Sequence, residues 1–213
     1  MLTFVSKLNN MCRNTILSVL ILLTSLNAQP QTASNDSLEK RCFVGSTLFV
    51  LANLVNDPEP PNYYQLNFGY RITPKDVVSL EAITWNYYEP IGVPNGVKQN
   101  ATNFPGKVQA FGAGLAYKRF LWKQFYAQVH STALKQNYLD EENEKIQSGF
   151  QLFNTVRIGY QFRFFKNRLF LEPSIAMTFW LVNTNLPESF QVEEDKYPNY
   201  FLGEPGLHFG FNF

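Results

Sequence analysis

The residues of this chain that could do chemistry are few. His130, Ser131 and Thr132 are consecutive, while Glu81, Arg71, Arg157, Arg163, Glu172, Glu204 and His208 are scattered along the sequence. A hydrolase needs a hydroxyl within hydrogen-bond reach of a basic imidazole. Neighbouring residues of an extended strand point to opposite faces, so Ser131 cannot serve His130, and only Thr132 shares its side. Two histidines with no cysteine partner make a poor zinc set. The residue types therefore predict no catalytic group, no metal and no cofactor. The charged residues predict a different chemistry, because a carboxylate or guanidinium withdrawn from water is tolerated when an opposite charge stands beside it.

Whether these groups meet depends on the elements that carry them. Apolar and polar residues alternate with a period of two, most cleanly where Val156, Ile158, Tyr160 and Phe162 interleave with Thr155, Arg157, Gly159, Gln161 and Arg163. The pattern predicts eight strands, near 43–54, 63–72, 77–88, 108–118, 124–138, 149–164, 169–183 and 200–213. Only the first, VGSTLFVLAN, is apolar on both parities and cannot be oriented. The connections ITPKD, FLWKQ and FFKNR are short; VNDPEPPN, the segment 89–107, DEENEKIQ and the segment 184–199 are longer and polar. An even strand count puts all the short connections at one end and all the long ones at the other. With the tight turns as hinges, Glu81 falls opposite Gly69 with Arg71 diagonal to it, and Glu172 opposite Gln161 with Arg163 diagonal. His130 faces Gly112 or Gly114, where a missing side chain leaves room for the ring. Glu81, Arg71, His130, Arg157, Arg163, Glu172, Glu204 and His208 then share the less apolar face as an interior ion-pair network.

The ends of the chain and its composition narrow the class. Lys7 and Arg13 precede the apolar run ILSVLILLTSL, which is followed by Asn27 and Ala28. That layout predicts a secretory signal peptide over residues 1–28, cut after Ala28. The run is about 11 residues, too short for a membrane-spanning helix, which takes ~20. A short polar segment, 29–42, would precede a domain over 43–213. Removing the leader leaves 16 basic against 17 acidic residues, which gives no electrostatic case for nucleic acid. Cys42 is then the sole cysteine, so no intrachain disulfide forms.

The two faces of the strands decide the surroundings. In a water-soluble barrel around an apolar cavity the outer face carries abundant Lys and Glu. Here the less apolar face is crowded with Gly, Ala, Ser and Thr, and the other with Leu, Phe and Tyr. Small residues with a few charges suit the inside of a narrow barrel, and the apolar face then meets lipid, where open sheet edges are not viable and the last strand must pair with the first. Trp122, Phe120, Phe164 and Phe165 by the short turns, and Tyr63, Tyr64, Tyr87 and Tyr88 by the long loops, read as interface girdles. Pro173 and Pro205 lack a ladder donor and read as local bulges.

Over residues 43–213 this architecture resembles small eight-stranded outer-membrane proteins of the OmpA, OmpX and OmpW kind. The resemblance implies an all-β, antiparallel, up-and-down transmembrane β-barrel with short periplasmic turns and longer extracellular loops. It also implies an outer-membrane location, contact with outer-membrane lipid and lipopolysaccharide, and a monomeric state. The ending LHFGFNF, with Phe209, Phe211 and Phe213 at every second place, resembles the signal by which the barrel-assembly machinery recognises such chains. A lipid A deacylase of this architecture carries His and Ser two residues apart; Thr132 departs from that pattern. The expected role is structural, or a surface interaction through the outer loops, around an interior filled by side chains. The alternatives are a narrow channel or hydrophobic-solute carrier with a lateral opening in its wall, and a lipid-modifying enzyme. Asn100-Ala101-Thr102 matches a glycosylation sequon that this compartment does not use, and EENE at 141–144 beside Glu193, Glu194 and Asp195 could bind divalent cations.

Overall fold

The computed structural model describes residues 40–56, 58–92 and 103–213. The predicted leader, most of the polar segment 29–42 and the sequon at Asn100 lie outside the described residues. The chain forms β1 (Cys42–Thr47), β2 (Tyr64–Arg71), β3 (Asp76–Tyr87), β4 (Lys107–Trp122), β5 (Phe125–Leu139), β6 (Lys145–Tyr160), β7 (Phe162–Phe164), β8 (Leu169–Asn183) and β9 (Tyr200–Asn212). Every pairing is antiparallel and up-and-down, and β1 pairs with β9 and β6 with β8. Eight strands thus close into a ring, and the three-residue β7 continues β6 along β8.

Side-chain alternation explains which face is enclosed. Along β4, Val108, Ala110, Gly114, Ala116, Lys118 and Phe120 are buried, whereas Phe111, Ala113 and Leu115 are exposed. The same inversion runs around the ring: Leu66, Leu80, Leu115 and Ile175 are 57, 62, 60 and 51 % exposed, while Arg71, Glu81, Lys118, Arg157 and Glu172 are buried. No helix among the described residues is long and apolar enough to cross a membrane.

Several elements differ from the sequence reading, each for a local reason. The first strand ends at Thr47, and Leu48–Leu54 form a 3-10 helix. This run, apolar on both parities, could not bury one face of a strand while exposing the other. Thr47 caps it by accepting from the Phe49 N–H at 3.3 Å, and Asn53 ties it to the start of β2, donating to the Tyr63 carbonyl at 2.7 Å and accepting from the Tyr63 N–H at 2.9 Å. The sixth strand is interrupted at Gln161, opposite the neighbourhood of Pro173, which has no N–H to bridge the ribbon. Pro173 therefore marks a ladder break rather than a bulge.

In β9 the register shifts between the partners of Ala176 and Met177, leaving Gly203 unpaired at φ +77°. That left-handed bulge flips the parity. Phe201 turns inward and Leu202 outward, 61 % exposed, so the apolar face is continuous only beyond Gly203. Phe120 keeps the parity of Lys118 and is buried inside the ring, not set in a girdle. The segment 184–199 carries a short helix, α1 (Glu188–Glu194).

Candidate functional site

The charged residues of the enclosed face sort into two groups along the ring. Near the short turns, Lys118 donates to both oxygens of Glu172, at 2.6 and 2.7 Å, and Gln161 donates to Oε1 at 2.6 Å. Arg163 donates from Nε to the Gln161 side-chain Oε1 at 2.6 Å. The Arg71 and Arg163 guanidinium groups lie 5.2 and 5.4 Å from the centroid of Phe120, and Arg71 donates to the Pro74 carbonyl at 3.2 Å. Arginine tolerates such a place because its planar cation is weakly hydrated and lies well against an aromatic ring. Val77, Phe120, Tyr126 and Phe43 pack among these groups at this end.

Further along, Glu81 gathers three partners. Thr132 donates to Oε1 at 2.9 Å, Gln65 donates to Oε2 at 2.6 Å, and His130 Nε2 stands 3.3 Å from Oε1. Thr132 Oγ1 is 3.1 Å from the same imidazole nitrogen. Gly114 makes room for the group, since a Cβ there would come within 2.6 Å of His130 Nε2 and 2.7 Å of Thr132 Oγ1. Beside it, Arg157 donates to Ser174 at 2.9 Å and to Glu204 at 3.2 Å, and Thr178 donates to the other Glu204 oxygen. Gly206 leaves the space that the Arg157 guanidinium fills.

The structure therefore unites Glu81 with His130, Arg157 with Glu204, and Arg163 with Glu172 through Gln161. It does not unite Arg71 with Glu81. The β2–β3 turn spans Ile72–Lys75, which sets Glu81 opposite Asn67 and Arg71 opposite Val77, so the register moves by two residues from the predicted hinge. His130 is opposite Ala116 and reaches along the wall toward Gly114. His208 is half-buried opposite Glu172, without a hydrogen bond to Nδ1. Lys118, Gln65, Ser174 and Thr178 join these groups without belonging to the predicted network, although the parity of Lys118 with Gly112, Gly114 and Ala116 sets it inside. Phe209, Phe211 and Phe213 lie on the outer face, 38, 39 and 53 % exposed.

Hydroxyl, imidazole and carboxylate thus meet at Thr132, His130 and Glu81, but both oxygens approach one ring nitrogen. Thr132 donates to Glu81, so the carboxylate does not orient the imidazole toward the hydroxyl as a nucleophile and base require. Among the described residues no group of three or more His, Cys, Asp or Glu could hold a metal ion.

Where the sequence led to a filled interior, the ring lines a partly open cavity of about 710 Å3. The space follows from small groups on the enclosed faces, among them Gly45, Ser79 and Gly206. Lys118 and Glu172 form one end, the Glu81 and Arg157 groups line the middle, and aromatic rings line the part nearer the long loops. Phe49 meets Tyr63 edge-on at 4.8 Å, Tyr63 meets Trp85 at 6.2 Å, and Trp85 meets Phe153 at 6.4 Å.

At the long-loop end α1 packs onto the strands through one side chain. Phe190, fully buried, stacks on Phe104 at 4.7 Å and meets Tyr138 at 5.5 Å, within a cluster that includes Tyr87, Val108 and Leu134. Glu194, at the end of α1, accepts from the Trp180 indole N–H at 3.1 Å. Burial pushes the Glu194 carboxyl up from its ordinary range; the indole bond offsets this in part, and the neighbouring Asp195 charge adds to it. No protein-family model, curated protein or solved structure matches this chain.

Proposed function

We propose that this chain is an outer-membrane β-barrel that acts as a receptacle for a small molecule and not as a through-pore. The observation that carries the reading is a ligand-sized cavity inside a ring whose outer face is apolar. Cavities of ~300–1,000 Å3 hold drug-sized ligands, and this one is about 710 Å3. The apolar exterior supports a lipid environment, because Leu, Phe and Ile side chains half exposed on successive strands are stabilised by acyl chains and not by water. Ring closure supports it too, since no spanning sheet survives with open edges in hydrocarbon.

The Lys118–Glu172 layer and the packed Phe120 speak for a closed floor. A surface role through the loops fits less well, because the one aromatic side chain of α1, Phe190, is buried against Phe104 and Tyr138 and only Val192 is left exposed as an apolar side chain on that helix. Planar-bilayer recording of the purified mature chain tests the reading. A receptacle gives no steady conductance, whereas a stable ohmic current identifies a pore.

A further inference from the structure

The wall of the ring is not of even height. β1 has six residues and β2 eight, whereas β3 to β6, β8 and β9 have 12 to 16. The last paired residue of β1, Thr47, lies opposite His208. Beyond it, Tyr200–Leu207 of β9, apart from Gly203, pair with β8 on one side and with no strand on the other. The 3-10 helix Leu48–Leu54 stands where the missing wall would be, with Phe49 lining the cavity and Leu51, Leu54 and Val55 exposed at 53, 79 and 62 %. Pro205, which has no N–H for a ladder, lies in this one-sided stretch and also lines the cavity. Hydrocarbon-facing surface thus continues from the outside of the ring, past Phe49 and Pro205, to the aromatic half of the cavity.

The far half of the cavity has a different chemistry. Its middle carries two carboxylates, Glu81 and Glu204, one guanidinium, Arg157, paired with Glu204, and the His130 imidazole beside Glu81, with Gln65, Thr132 and Thr178 donating to the carboxylates. An added carboxylate or phosphate would face two like charges, whereas a hydroxyl, amide or ammonium finds acceptors. We infer that the cavity takes a single-chain amphiphile with a neutral or cationic head, drawn from the bilayer through the notch above Thr47, its head at Glu81 and Glu204 and its chain against Trp85 and Phe49. This inference rests on the receptacle reading and adds to it the ligand class and the route of entry.

The test uses the full mature chain refolded in lipid bilayers, with Trp122→Phe and Trp180→Phe leaving Trp85 as the sole fluorophore. The probes are a terminally brominated long-chain alcohol, the amine and the carboxylate of equal length, and a phospholipid brominated on its acyl chain. Saturable quenching of Trp85 is expected from the alcohol and the amine, with the carboxylate about tenfold weaker, the size of a modest like-charge penalty. Glu204→Gln should narrow that difference. Saturable quenching by the brominated phospholipid is not expected, because its two chains and anionic phosphate fall outside the ligand class. Equal saturable quenching by all three single-chain probes overturns the head-group class. Saturable quenching by the phospholipid overturns the single-chain class, a quenching rate left unchanged by Pro205→Phe, a larger side chain at the notch, overturns side entry, and no saturable quenching by any probe overturns the site. Gel mobility of the same sample before and after boiling is the separate control: an unshifted band means that the membrane barrel itself has failed, not the ligand assignment.

Discussion

Lys118 and Glu172 show what a buried pair costs when it is broken. Both are buried, and Gln161 supplies the other hydrogen bond that Glu172 receives within the layer. Lys118→Met leaves a carboxylate inside with no cation against it and should destabilise the fold by about 3–5 kcal/mol. Lys118→Met combined with Glu172→Leu should recover most of that loss, read by urea unfolding in lipid vesicles. At the other end, Glu194 binds its proton more tightly folded than unfolded, so its contribution to the docking of α1 is fully present below the unfolded glutamate range, ~4.3, and is lost as pH rises through the raised folded value. Trp180 emission, with Trp85 and Trp122 replaced by Phe, should therefore report a looser lid at neutral pH than at pH about 4, and Glu194→Gln should abolish the difference. Parity alone told which of these side chains face inward, Lys118 included. It could not tell which ones touch, because contact depends on register, and the four-residue span Ile72–Lys75 moved Glu81 away from Arg71.

Gly203 has an importance at the level of the strand that its sequence does not reveal. Its φ of +77° is in the left-handed region, and a Cβ there would meet no atom within 4 Å, so the cost of a side chain is one of backbone alone. Gly203→Ala should cost about 1–2 kcal/mol, while Gly206→Ala, which would drive a methyl into the Arg157 guanidinium, should also break the Arg157–Glu204 pair. The turn after β7 has three consecutive non-glycine residues in the left-handed region, Phe165, Lys166 and Asn167, with φ of 51, 54 and 62°. Lys166→Gly should leave folding intact and raise stability by up to ~1 kcal/mol, measured by the same urea titration. The long alternating strands β4 and β8 are legible because one parity is apolar over many residues. The short β1, the break at Gln161 and α1 were not, since a run apolar on both parities, a proline on the neighbouring strand and a helix of seven residues leave no periodic mark of their own.

At the scale of the whole molecule, everything turns on the inversion of the ring, with charges inside and Leu, Phe and Ile outside. Leu80 lies in the wall between Phe68 and Leu115, 62 % exposed. In a bilayer, Leu80→Arg should cost about 2–4 kcal/mol, against about 0.5 kcal/mol or less for an exposed site in water. The most direct measurement is refolding of the mature chain from urea in plain buffer, in detergent and in lipid vesicles, followed by circular dichroism and by gel mobility before and after boiling. A membrane barrel will aggregate in buffer and fold only with detergent or lipid, and its unboiled band will migrate differently from the boiled one. A monodisperse β-rich monomer in buffer, with no such difference in mobility, would contradict the assignment.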